Sequence, residues 1–264
     1  MRHTVENDRN ILLTNDDGIF APGLAALRNT LSKLGAVQIV APASEQSGVS
    51  HSITYLEPLI IDDVYHGDDL FGRAVGGSPA DCVKAAMLEL CDPPPDLVVS
   101  GINSGANAGI NVLYSGTVAA AIEGAFFGVT SIAVSLSAGS RPDYEQTAVM
   151  AADLIGQLLR QNPSPGSLWN INFPKRHDGW PVGVKVVPMG LERYREMLEK
   201  RIDPRGRTYY WSGLHPDQVP PTELNSDVAA LAEGFVTITP LNFNLTCHDE
   251  MRRLGDVDWT LLRG

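Results

Sequence analysis

Apolar residues along this chain recur with two different periods. Short unbroken runs at Ile11-Leu12-Leu13, Val37 to Ala41, Leu97-Val98-Val99, Ser131 to Leu136 and Leu168 to Phe173 read as buried strands. Between them the spacing is helical: Leu24, Leu27, Leu31 and Leu34 after Pro22, then Val83, Met87 and Leu90 after Ser78. Val118, Ile122 and Ala125 after Thr117 repeat the pattern, and a longer helix is expected over roughly 143–160. Pro22 suits a first helical position, Gly35 suits a stop, and Pro93-Pro94-Pro95 ends the second helix. Residues 52–76 read as extended segments closing at Ala74-Val75-Gly76-Gly77. Strands alternating with helices predict an α/β protein with a mostly parallel sheet covered by helices.

Beyond about residue 185 the rhythm changes. Residues 191–222 hold many arginines, aromatics and prolines with little periodicity. Such a stretch is expected to be an arm or a partner-contacting extension rather than a structureless loop. The expected division is a catalytic core over 1–188 and an extension over 189–264 with a final helix. Within the extension, Ser226 or Asp227 caps a short helix ended by Gly234, and Phe235 to Thr239 is strand-like. Met251, Leu254, Val257 and Leu261 mark one face of a terminal helix.

At 264 residues with 44% hydrophobic content, the chain can bury a sizeable core. Its formal net charge of −11 argues against general binding to nucleic-acid backbone. An acidic protein can still hold a small phosphate if a cation or a helix N-terminus offsets the repulsion locally. The three cysteines and six histidines show no metal-ligand spacing, and the cysteines form no disulfide framework. Cys82 reads as a buried small hydrophobe, and His51 is a candidate for proton transfer because it neighbours the Ser47 turn. The apolar runs are too short for a membrane span, and Met1 to Asn10 lacks the apolar segment of a secretory leader, so a cytoplasmic protein is expected.

Candidate chemistry gathers where strands end. Asn15-Asp16-Asp17-Gly18 sets two carboxylates after the first strand. Such hard oxygen ligands favour Mg²⁺, Mn²⁺ or Ca²⁺. Adjacent strand residues point to opposite faces, so both reach one ion only if the chain bends, as Gly18 permits. Ser100 to Gly109, rich in Gly, Asn and Ser, follows another buried strand, at the edge where open α/β sheets bind ligands. Its glycines at 101, 105 and 109 fit neither a Walker loop nor a dinucleotide fingerprint. Tyr114-Ser115-Gly116-Thr117 then leads into a helix with Thr117 as the expected N-cap, and a helix start favours phosphate. Ala41 to Gly48 offers Ser47, and Gly76-Gly77-Ser78-Pro79-Ala80-Asp81-Cys82 has the spacing of a capping box.

These blocks, in this order and spacing over roughly residues 9–136, resemble the SurE family of nucleotidases (survival protein E). Asn170-Ile171-Asn172-Phe173-Pro174 and the tail are more loosely similar. Departures are Ser78 in place of a common threonine, Ile110-Asn111 where an aspartate is frequent, and extra residues before the first strand. The resemblance implies a three-layer Rossmann-like α/β/α core with a C-terminal extension exchanged between subunits of a homodimer or homotetramer. It implies a 5′-nucleotidase that hydrolyses nucleoside 5′- and often 3′-monophosphates with one divalent ion, Mg²⁺ or Mn²⁺, per subunit. Carried over by motif, the metal ligands are Asp16, Asp17, Ser47 and Asn103, with Asp16, Asp17 and Asn103 also catalytic. The phosphate side is expected to involve Gly48, Ser104, Gly105, Asn107, Ser115, Gly116 and Thr117, with backbone amides of 104–109 on the phosphate oxygens. Two alternatives remain at this point: an aspartate nucleophile, disfavoured by the lack of Asp-x-Asp spacing, and a nucleotide- or anion-binding module with a structural ion.

Overall fold

The computed structural model describes residues 9–139, 142–177, 179–192, 196–215, 217 and 222–261. The first half runs β1 (Arg9–Thr14), α1 (Pro22–Leu31), β2 (Gly35–Pro42), β3 (Ile61–His66), β4 (Asp69–Val75), α2 (Pro79–Ala85), β5 (Leu97–Ser104) and α3 (Gly116–Phe126). The second half runs β6 (Thr130–Leu136), α4 (Tyr144–Leu159), β7 (Leu168–Phe173), β8 (Gly183–Val186), β9 (Glu196–Ile202), β10 (Thr208–Leu214), α5 (Asp227–Ala232), β11 (Phe235–Leu241) and α6 (His248–Gly255).

Nine of these strands form one sheet in the order β3-β4-β2-β1-β5-β6-β7-β11-β8. Pairing is parallel from β4 through β7 and between β11 and β8, and antiparallel at β3/β4 and β7/β11. The central strands are buried on both faces, so their side chains divide by parity. Ile11, Leu13, Val99, Ile132 and Val134 pack with Leu24, Leu27 and Leu31 of α1 and Ala148, Ala151 and Ile155 of α4. Leu12 and Val98 face Cys82 and Val83 of α2 and Ala120 of α3. The result is three layers, with helices on both faces of a mostly parallel sheet. From β1 the chain goes to β2 on one side and returns later to β5 on the other. That reversal opens a crevice at the carboxyl ends of β1 and β5, where doubly wound sheets bind ligands.

Two expectations change, over residues 226–241 and at the terminal helix. Residues 226–241 do not belong to a separate extension, because α5 leads into β11, which lies inside the sheet between β7 and β8. Within 191–222, β9 and β10 form an antiparallel hairpin with its own two-stranded sheet, although its sequence lacks clean alternation. The terminal helix is short, so Val257 and Leu261 lie beyond it. Expectations that fall on 193–195, 216 and 218–221 lie outside the described residues.

Candidate active site

β1 ends at Thr14, and Asn15 closes the turn that follows. Its side chain accepts from the Gly18 N–H at 3.2 Å and donates to the Gly18 carbonyl at 2.9 Å. Gly18 sits at φ +98°, a conformation side chains resist, so the bend needs glycine there. This takes Asp16 and Asp17 out of strand geometry. Asp16 leans toward the α3 face: its Oδ1 accepts from the Thr117 hydroxyl at 2.5 Å. Asp17 leans toward β5: its Oδ2 accepts from the Ser104 N–H at 3.2 Å. A third bond, from the Gln46 N–H to the Asp16 carbonyl at 2.7 Å, draws in the loop after β2. Ser47 and Asn103 therefore each lie one residue from a chain position bonded to the Asp16–Asp17 pair.

The donor set suits a hard cation. Each aspartate has one carboxylate oxygen engaged by these side-chain and loop bonds, Oδ1 of Asp16 and Oδ2 of Asp17, and the Asp16 Oδ2 lies at the start of α3 beside Gly116. Asn103 donates its amide nitrogen to the Gly105 carbonyl at 2.8 Å, which turns its oxygen the other way. Ser47 donates to Glu45 Oε1 at 2.7 Å, so its lone pairs stay available. Burial pushes the Asp16 carboxyl up from 3.8 to about 6; Thr117 hydrogen bonding opposes the rise, and the Asp17 charge adds to it. Burial also raises Asp17, against the pull of the Ser104 N–H and with a contribution from Glu45. Two neighbouring carboxylates that resist ionisation together favour a cation between them. Among the described residues no group of three or more His, Cys, Asp or Glu is arranged to hold a metal. An ion here would thus need the neutral oxygens of Ser47 and Asn103, which fit it.

The expectation for the helix start changes. Thr117 is not the N-cap of α3. Ser115 is, accepting from the Val118 N–H at 3.1 Å, while Thr117 is fully buried in the first turn with its hydroxyl on Asp16. Ser115 keeps its own hydroxyl hydrogen to donate, and Gly116 opens the helix beside Asp16. A Cβ on Gly116 would lie 2.9 Å from Asp16 Cβ and 3.1 Å from Pro79 Cγ, so only glycine lets Asp16 sit at this helix start. Asn107 is buried, and its side-chain nitrogen donates to Ser135 Oγ at 2.9 Å. The amides of 104–109 are mostly taken up internally. Ser104 donates to Asp17, Gly105 to Leu136, Asn107 to Asn172 and Gly109 to Asp227. Ser104, Ser47 and Gly48 are exposed near the aspartates. His51 pairs with Glu123 on α3 at 2.8 Å and stacks on Phe126, two turns from the helix start.

Two contributors were not singled out from the sequence, one with a local signal and one without. Asn15 was legible as an Asx turn, since Asn and Asp favour such closure before glycine. Asp227, fully buried, accepts from the N–H groups of Gly109 and Gly190 at 2.9 Å each and of Val228 at 2.8 Å. Its sequence neighbourhood suggests only a helix start, because its main partner is 118 residues away.

Fold and site define a doubly wound α/β protein whose switch-point crevice is built from carboxylate, hydroxyl and amide oxygens beside a helix N-terminus. Comparison with known proteins narrows this class. Residues 11–196 match the family profile of Survival protein SurE. A protein of Rhodopirellula baltica named 5′-nucleotidase SurE is 56% identical over 252 residues, covering 95% of this chain and 98% of that one. A protein of the same name from Syntrophobacter fumaroxidans is 42% identical, covering 95% and 99%. The crystal structure of the SurE protein from Aquifex aeolicus superposes with a TM-score of 0.81 at 37% identity, covering 93% of this chain and 98% of that one. The chain belongs to the SurE family.

Proposed function

We propose that this protein is a metal-dependent nucleotidase that hydrolyses nucleoside 5′-monophosphates, and 3′-monophosphates as well, to nucleoside and phosphate. The relatives named 5′-nucleotidase at 56% and 42% identity support the substrate class. The observation that carries the metal dependence is the adjacent pair of buried Asp16 and half-buried Asp17, held by Thr117 and Ser104, with no basic side chain in the surrounding motifs. Asp16, Asp17, Ser47 and Asn103 would hold one divalent ion, Mg²⁺ or Mn²⁺. When bound, such an ion supplies Lewis-acid polarisation of a phosphoryl oxygen and a water of lowered pKa.

The chain's own groups do the positioning. The Ser115 hydroxyl and the Gly116 amide at the start of α3 would receive phosphoryl oxygens, and the helix dipole favours the negative charge. Thr117 holds Asp16 in place by donating to it. With no Arg or Lys in these motifs, neutral donors and the ion together must offset the dianion.

Phosphate release from a panel of nucleoside 5′- and 3′-monophosphates, before and after EDTA and with Mg²⁺ or Mn²⁺ restored, tests this. Loss on chelation and recovery with metal is expected. Turnover that survives EDTA unchanged refutes metal dependence, and tight nucleotide binding without release would favour a binding module.

The same reading extends to assembly as a homodimer or homotetramer. Leu198, Ile202, Tyr210 and Trp211 on the hairpin, and Met251 and Trp259 near the end of the chain, are all more than half exposed. Large apolar groups grouped on projecting segments favour burial against further copies. Light scattering of the purified full chain should give at least twice the 28.4 kDa chain mass, and a monomer would count against it.

A further inference from the structure

Asn170 and Asn172 on β7 have been given no role in the site so far, yet both are fully buried. Being two residues apart on a strand, they share one face. Asn172 Oδ1 accepts from the Asn107 N–H at 2.8 Å. Its Nδ2 donates to the Asn107 carbonyl at 3.1 Å, and Asn170 Nδ2 donates to that carbonyl at 2.7 Å. Both polar atoms of the Asn107 backbone are thus gripped by side chains of β7.

Asn107 passes this constraint on. Its Nδ2 donates to Ser135 Oγ at 2.9 Å and to Thr117 Oγ1 at 3.4 Å. The 2.5 Å contact between Thr117 and Asp16 is a donation by the hydroxyl, since an ionised carboxylate only accepts. Thr117 Oγ1 is then left with acceptor capacity alone, and Asn107 must present its NH₂ there. A direction of donation therefore runs from β7 through Asn107 and Thr117 to Asp16. In the sheet order β7 stands three strands from β1, about 14 Å at the usual ~4.8 Å spacing.

We propose that Asn172, assisted by Asn170, is a positioning residue for Asp16. It fixes Asn107 so that the Thr117 hydroxyl is aimed at one carboxylate oxygen of Asp16, which leaves the other oxygen for the cation. This rests on the metal site of the proposed function, but not on turnover. Partners that orient metal ligands typically change metal affinity by about 10–100-fold when removed.

The test is Mn²⁺ binding by isothermal titration calorimetry to the full chain and its Asn172→Ala, Thr117→Val and doubly substituted forms. Each single change is expected to weaken Mn²⁺ by about 10–100-fold. The double is expected to be no weaker than the worse single, because both act through one contact. Thr117→Ser, which keeps the hydroxyl, should bind like the wild type. Ile155→Ala, on the buried face of α4, should lower stability without changing Mn²⁺ affinity. If Asn172→Ala does not fold, Asn172→Asp keeps the acceptor toward the Asn107 N–H while replacing the donor to the Asn107 carbonyl by an acidic oxygen; it too should bind Mn²⁺ more weakly. Unchanged affinity in the folded Asn172 variant, or factors that multiply in the double, overturns the proposal. Phosphate release is measured on the same samples. A wild type that binds Mn²⁺ but releases no phosphate sinks the nucleotidase reading alone, and one that binds no Mn²⁺ sinks both.

Discussion

Replacing Asp16 by Asn should make the metal-free protein more stable while removing its turnover. In the folded chain Asp16 is 4% exposed and its carboxyl is pushed from 3.8 to about 6, burial being the main cause. At about 1.4 kcal/mol for each tenfold change in proton affinity, that rise is worth at most about 3 kcal/mol. The sign follows from linkage. A carboxyl whose folded-state pKa is raised binds its proton more tightly in the folded state, so stability falls as pH rises from about 4 through about 6. Above that range the full penalty is present. Asn has the same shape, carries no charge and can still accept from Thr117. Scanning calorimetry in EDTA at pH 7.5 should therefore show Asp16→Asn to be about 1–3 kcal/mol more stable than the wild type, a rise of several degrees for a chain of this size. Near pH 4 the difference should vanish. Mn²⁺ should restore stability to the wild type by mass action and do little for the variant. An Asp16→Asn protein no more stable than wild type at pH 7.5 in EDTA would refute the reasoning, as would a gain that persists undiminished at pH 4.

Other outcomes follow from the same geometry. Gly116→Ala places a Cβ 2.9 Å from Asp16 Cβ, so Asp16 must shift off the start of α3. Overpacking of this kind should cost about 1–3 kcal/mol, and phosphate release should fall at least tenfold; a variant with wild-type kcat would show that Asp16 need not sit there. Asp227→Ala leaves three N–H groups without their carboxylate acceptor. At about 1–3 kcal/mol for each unsatisfied buried group, urea unfolding should show a loss of several kcal/mol, and a loss below about 1 kcal/mol would mean water replaces the carboxylate freely.

Much of the fold was legible because its causes are local. The apolar runs from Ile11, Val37, Leu97, Ser131 and Leu168 all lie in strands, and the Ser78–Asp81 capping box forms with the Ser78 N–H on Asp81 at 2.9 Å. Side-chain parity and turn chemistry act over a few residues, so they leave a trace in a short window. The β9–β10 hairpin was not legible because an exposed hairpin has no buried face to impose alternation. Its strands show almost no inward-facing apolar pattern, and Leu198 and Ile202 both face solvent.

The site divides the same way. Asp16, Asp17 and Gly18 were readable as a bend at a strand end, since the glycine and the Asn15 closure lie within four residues. Which of Ser115 and Thr117 caps α3 was not, because either hydroxyl can serve as an N-cap. Only the arrival of Asp16, 101 residues away, draws the Thr117 hydroxyl off the helix start. Likewise a run of Gly, Asn and Ser displays free amides on paper, but Asp17, Leu136, Asn172 and Asp227 claim four of them once the chain is folded. Sequence by itself determined which groups could reach the carboxyl edge of the sheet. Tertiary structure alone decided which still had a bond to give, because hydrogen-bond capacity is used up by neighbours that only folding brings near.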